Sequence, residues 1–215
     1  MFGCIFQLFR ILSILIVPFL ALVRGSVYCH TYMDWSPWMS VIGGIALTSL
    51  VLMIYFAIIS GQISGRIGSP RSFKNRWIII LIFLIGFALH GLFYFSSENA
   101  KQSHIQEEFI SLHPILRIGV STLIWFDKEL VMTDSKRAPE DYKKMGLKTP
   151  KQSLHYPQKD SYVYAMDLRT NNRAAWQNQL TQLYFQIMGF NTLRHGGTGD
   201  HLHISLSCKY KPGGI

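Results

Sequence analysis

Near its carboxyl end the chain reads Gly196-Gly197-Thr198-Gly199-Asp200-His201-Leu202-His203-Ile204-Ser205-Leu206. A glycine-rich loop running into an alternating polar/apolar segment predicts a short half-buried strand. Residues two apart on a strand share a face, so His201 and His203 point the same way while Leu202 and Ile204 enter a core. Two adjacent imidazoles are poor packing material but good metal ligands. Asp200 adds a carboxylate three positions before His203. A pair of surface histidines would show the same spacing, but a second cluster upstream strengthens the metal reading. It opens with Ser153-Leu154-His155 and closes with Ala165-Met166-Asp167-Leu168, where the alternation Val163, Ala165, Asp167 predicts one face of another strand. One histidine, one aspartate and a His-x-His are the ingredients of a three-ligand zinc site with an open position.

These residues lie in the second half of a 215-residue chain whose first half has a different character. Three long apolar runs predict transmembrane helices at about residues 4–23, 38–60 and 77–96, the last two reaching the ~20 residues a bilayer requires. The first has a shorter clean core, and Ala21-Leu22-Val23-Arg24 is a poor cleavage site, so an uncleaved helix is expected rather than a signal peptide. The loop between the second and third runs carries Arg66, Arg71, Lys74 and Arg76 and no acid, whereas Arg24 in the first loop is offset by Asp34. Short basic loops stay cytoplasmic, which predicts an interior amino terminus and a periplasmic or otherwise extracytoplasmic carboxyl-terminal domain on the cytoplasmic membrane. Ser40 and Gly44, four apart, suit close helix approach. Partner proteins or self-association through these helices therefore stay open. The net charge of +9, from 21 basic and 12 acidic residues, is modest and partly topological, and it is not read as a nucleic-acid surface. Cys29 and Cys208 would both lie outside, leaving a disulfide and two free thiols as alternatives.

From residue 98 onward the composition is that of a globular domain. Glu98–Leu112 reads as a polar helical stalk, and Pro114 opens a helix to about Phe126 with Leu116, Val120, Leu123 and Ile124 on one face. Leu130–Thr133 predicts a strand, Pro139–Met145 a short helix, and Tyr162–Leu168 a second strand. Asn172 is the expected N-cap of a helix through Met188, with Trp176, Leu180, Leu183, Tyr184 and Ile187 as its apolar face and Gly189 as its stop. Phe190–Leu193 and Leu202–Leu206 then pair around the glycine-rich loop. The fold class is α+β, a small, mainly antiparallel sheet with helices on one side.

The order of motifs is His113-Pro114-Ile115-Leu116-Arg117, Val131 through Arg137, Ser153-Leu154-His155, Ala165 through Arg169, and Asp200-x-x-His203. Over roughly residues 113–206 it resembles the zinc peptidases of the D-alanyl-D-alanine carboxypeptidase and phage endolysin type, in the wider group that includes lysostaphin and the hedgehog signalling domain. The resemblance implies a zinc ion held by His155, Asp167 and His203, with Asp200 as general base, His201 assisting the water or the oxyanion, and Arg137 stabilising the oxyanion. Such a zinc leaves a position for water and lowers its pKa toward ~7. The chain departs from the family pattern in the eleven residues between His155 and Asp167, where six are usual, and in the missing glycine of that interval. Loops absorb such insertions cheaply, and His195 stands as the alternative ligand to His155. The implied function is a membrane-anchored zinc metallopeptidase that hydrolyses peptide bonds in peptidoglycan stem peptides. The alternative is a non-catalytic module of the same fold that recognises a cell-wall peptide or a protein partner.

Overall fold

The computed structural model describes residues 2–64, 70–144, 146, 148–197 and 199–210. Arg66, Met145 and Thr198 therefore lie outside the described residues. The chain divides into two compact units, Met1–His90 and Gly91–Ile215.

The first unit holds three long helices, α1 (Phe2–Tyr32), α2 (Pro37–Ser64) and α3 (Pro70–Phe93), the last of which ends in the second unit. Each contains a segment long and apolar enough to cross a membrane: Ser13–Tyr32, Pro37–Gly61 and Arg71–Phe93. The first runs nine residues past its expected end at residue 23, and its expected beginning falls on side chains outside the described residues. Arg24 does not end the run, because the helix continues unbroken through it to Tyr32. Small residues bring α1 and α2 together. A Cβ on Gly44 would stand 2.4 Å from the Leu22 carbonyl oxygen, so only glycine allows this approach. Ser40, the other small residue of the pair, is fully buried. Its hydroxyl donates to Ser36 O of its own helix turn at 2.9 Å. Met53, Ile80 and Leu84 form the apolar seam between α2 and α3.

The second unit is built around α5 (Pro114–Ile124), in which nine of the eleven residues are buried. The single apolar face expected for it is too narrow, and the helix is enclosed on nearly all sides. Pro114 sits at its first turn, and His113 caps it by accepting a hydrogen bond from Ile115 N at 3.3 Å. The stretch before it is not a polar stalk. It forms α4 (Ser103–Glu108) between two single 3-10 turns and is fastened to the core. Asn99 donates to the Lys128 and Leu130 carbonyls, Phe109 stacks on Phe95, and Ile105, Phe109 and Leu112 are almost fully buried.

Four strands follow among the described residues: β1 (Met132–Asp134), β2 (Ala165–Arg169), β3 (Asn191–His195) and β4 (His201–Ser205). They form one antiparallel sheet in the order β1-β2-β4-β3. The α+β class is as expected. Met166, Leu168, Leu202 and Ile204 are buried on one face, and Asp167, His201 and His203 lie on the other. Two helices complete the unit, α6 (Pro139–Lys144) and α7 (Ala175–Met188). The N-cap of α7 is Ala174, not Asn172. Asn172 adopts a left-handed turn (φ 61°), and the Gln177 side chain accepts from Ala174 N instead. Gly189, at φ 95°, ends the helix, with Phe190 N returning to Phe185 O at 2.9 Å.

Candidate metal centre

The sheet register brings the two sequence clusters together. Asp167 on β2 pairs directly with His203 on β4. Their side chains share a face, and Asp167 Oδ1 lies 2.8 Å from His203 Nδ1. His155 arrives from the loop before β2. The eleven-residue interval closes on itself: Gln158 N bonds Tyr162 O, Ser161 N bonds Gln158 O, and Ser161 takes a left-handed conformation at φ 67°. Tyr164 N then bonds Leu154 O at 2.9 Å, which holds His155 beside the start of β2 whatever the length of the excursion.

His155, Asp167 and His203 are all buried and could together hold a metal ion. His155 Nε2 is 3.3 Å from His203 Nδ1 and 3.4 Å from Asp167 Oδ1. Ligands on a tetrahedral zinc at ~2.0–2.1 Å stand ~3.3–3.4 Å apart. Two edges of the triangle already have that length, and the third, 2.8 Å, is a hydrogen bond that a cation would replace. His155 Nδ1 donates to the Ser135 carbonyl at 2.6 Å, which leaves Nε2 as the lone-pair atom facing the cluster. The donor set and this fixed tautomer fit a divalent cation, although nothing in the set selects zinc over its neighbours in the transition series. His195 is not in the triangle. It lies opposite His201 across the β3–β4 ladder, and the two rings stack with centroids 4.8 Å apart.

Surrounding groups fix the charge of the site. Arg137 Nη2 lies 2.5 Å from Asp167 Oδ2, and its Nε donates to Asp134 at 2.9 Å. A bulge in β1 puts Asp134 opposite Asp167, so this carboxylate turns toward the site. Burial disfavours the charged form of Asp167. The hydrogen bond that His203 donates and the charge of Arg137 outweigh it and hold the carboxyl well below its ordinary value. Tyr142 on α6 completes the support, bonding Ser153 Oγ at 2.9 Å and Arg137 Nη1 at 3.4 Å, while Ser153 Oγ accepts from His155 N. Arg137 also lines a cleft of about 270 Å³ whose walls mix Lys136 and Lys144 with Glu108 and Asp141.

His201 is the half-exposed member of the face, with Nε2 3.7 Å from Asp167 Oδ2 and Nδ1 donating to the Gly199 carbonyl at 2.6 Å. Asp200 is not brought to the cluster. Strand alternation places it on the Leu202 face, where Arg194 donates to both carboxylate oxygens, from Nε at 3.2 Å and from Nη2 at 2.8 Å. Arg194 draws its carboxyl below the ordinary value. Tyr142 gave no signal in the sequence, and the Ser135 carbonyl, being backbone, could give none. Asp134 was visible only as an acid three residues before Arg137. No family model, curated protein or solved structure matches the chain.

Proposed function

We propose that the second unit is a zinc metallopeptidase of the D-alanyl-D-alanine carboxypeptidase and hedgehog-like type, acting on peptidoglycan stem peptides from a membrane anchor. The observation that carries this reading is the buried convergence of His155 Nε2, Asp167 Oδ1 and His203 Nδ1, with the His155 tautomer set by Ser135. A zinc ion there would supply a Lewis acid and an activated water at neutral pH.

The chain's own groups supply the rest. His201 Nε2 accepts the proton of the attacking water, because Nδ1–H is committed to Gly199 and Nε2 faces the cluster; it returns the proton to the leaving amine. This moves the base from Asp200 to His201, since Asp200 faces away and is held by Arg194. Arg137 orients Asp167 in the resting chain. Its weakest bond, 3.4 Å to Tyr142, is the one it would release to face a developing oxyanion.

The three apolar helices are the anchor, with the amino terminus inside and the second unit outside the cytoplasmic membrane, where stem peptides are found. Arg71, Lys74 and Arg76 at the start of α3 support this orientation. A reporter active only outside the membrane, fused after Ile215, should be active, and a cytoplasm-only reporter should be silent. The reaction is tested by incubating the purified full-length chain with stem peptides and counting released amines. A chain that binds a stem peptide with zinc present and cuts none would instead be a binding module of the same fold.

A further inference from the structure

The cleft of about 270 Å³ beside the metal centre has two walls. One is α4, with His104 and Glu108. The other runs from the end of β1 into α6, with Asp134, Lys136 and Arg137 and then Asp141 and Lys144. Pockets that enclose a whole small ligand measure ~300–1,000 Å³, so this one suits a single side chain. Arg137 and Asp134 belong to the cleft and also reach Asp167 or its support. A group that fills the cleft therefore lies next to whatever is held at the metal.

Most charges in the cleft are spent on one another. Arg137 donates to Asp134 at 2.9 Å and pairs with Asp167. Asp141 accepts from Ala138 N at 2.8 Å and from Lys144 at 3.4 Å. Two charges are not spent. Glu108 Oε2 accepts from Ser135 Oγ at 3.1 Å, and Ser135 is fully buried, so this carboxylate is fixed in place. Its second oxygen makes no hydrogen bond or ion pair among the described residues, and neither does the exposed Lys136 ammonium. The two line one small space on opposite walls and do not pair with each other.

Unpaired charges of both signs select a ligand that carries both. A lone anion would meet Glu108, and a lone ammonium would meet Lys136. A bare metal ion is a poorer fit still, because the acids and the imidazole here do not converge. Among the described residues, His155, Asp167 and His203 are the one group of such side chains close enough to share an ion.

We propose that this cleft is the specificity subsite of the metal centre and takes a side chain that ends in an ammonium and a carboxylate on one carbon. The ammonium lies on Glu108 and the carboxylate on Lys136. This rests on the reading of the second unit as a receiver of stem peptides, and it narrows that substrate class. The diamino acid of the favoured peptide carries a free carboxylate on its side chain, and a diamino acid that ends in ammonium alone is disfavoured.

The test uses the full-length, zinc-loaded chain and three synthetic stem peptides that differ only at this head. The head is free, or its carboxylate is converted to a primary amide, or its amine is acetylated. Selectivity is read as kcat/KM from released amines where a peptide is cut, and as Kd from the anisotropy of a dye-labelled peptide where it is not. Wild type should favour the free head about 10-fold over either capped form, the worth of one charge-assisted hydrogen bond. Lys136→Gln should erase the preference over the amide and keep the preference over the acetylated form. Glu108→Gln, which still offers an oxygen to Ser135, should do the reverse. Equal treatment of the three peptides by wild type, or binding of none, overturns the proposal without recourse to a variant. A preference that survives both substitutions places the head elsewhere and also overturns it. The expected pattern in binding with no peptide cut upholds the subsite and removes the peptidase reading. Cleavage of all three peptides with equal kcat/KM upholds the peptidase reading and removes the subsite.

Discussion

Asp167 presents one oxygen to Arg137 and the other to His203, with Oδ2 2.5 Å from Arg137 Nη2 and Oδ1 2.8 Å from His203 Nδ1. The carboxylate is almost fully buried and remains ionised only because both sides are engaged. Arg137→Ala leaves it with one neutral partner, and removing one member of a buried ion pair costs about 3–5 kcal/mol. The metal-free Arg137→Ala chain should therefore melt well below wild type in a thermal scan. Added zinc should recover part of the difference by replacing the lost charge.

Tyr142 acts at one remove, through Ser153 to the His155 backbone and through Arg137 to Asp167. Tyr142→Phe keeps the ring and removes the hydroxyl. Loss of such a supporting bond lowers metal affinity by about 10- to 100-fold. Competition with a chelating dye should show that weakening with little change in melting temperature. An unchanged affinity would remove Tyr142 from the supporting shell.

Acid should act on the metal-free chain through Asp167. Its folded carboxyl titrates below the ordinary value, so the stabilisation it brings is fully present above the unfolded value of ~3.9 and is lost as pH falls through the folded one. Melting temperature should be level from neutral pH to about 5 and drop below about 4. Asp167→Asn should flatten that acid limb. Asp200→Asn should change it little, since the Arg194–Asp200 pair is open to solvent and screened.

His201 and Asp200 are adjacent in sequence and opposite in direction, which separates two assignments of the base. His201→Ala should lower peptide hydrolysis by about 10²–10⁴ with zinc retained, the loss expected for a general base. Asp200→Asn should retain most of the activity. The reverse order of effects would restore Asp200 as the base.

The α+β class and the antiparallel pairing of β3 and β4 were legible because period-two alternation fixes which residues share a face, whereas the set His155, Asp167 and His203 came from the order of motifs and the resemblance it carries. The same rule, applied one residue further, excludes Asp200 from that face. The register of β2 against β4 and the bulge at Asp134 were not legible, because pairing between distant strands leaves no local pattern. Helix α7 misled for a different reason. Its period marks an apolar stripe correctly, but periodicity cannot say which face meets the core, and here Asn178, Thr181, Phe185 and Met188 are the buried positions, with Asn178 and Thr181 bonded to Arg173. The segment around Ile105 and Phe109 read as polar because its buried residues are few and well spaced.

Metal content tests the central claim most directly. The full-length chain, purified without chelator and dialysed against excess zinc and then metal-free buffer, should retain one zinc per chain. His155→Ala, Asp167→Ala and His203→Ala should each lose it by orders of magnitude in affinity, while His195→Ala and Asp200→Asn keep it. A wild-type chain that leaves dialysis without zinc, or a His155→Ala chain that keeps its zinc while His195→Ala loses it, would contradict the account.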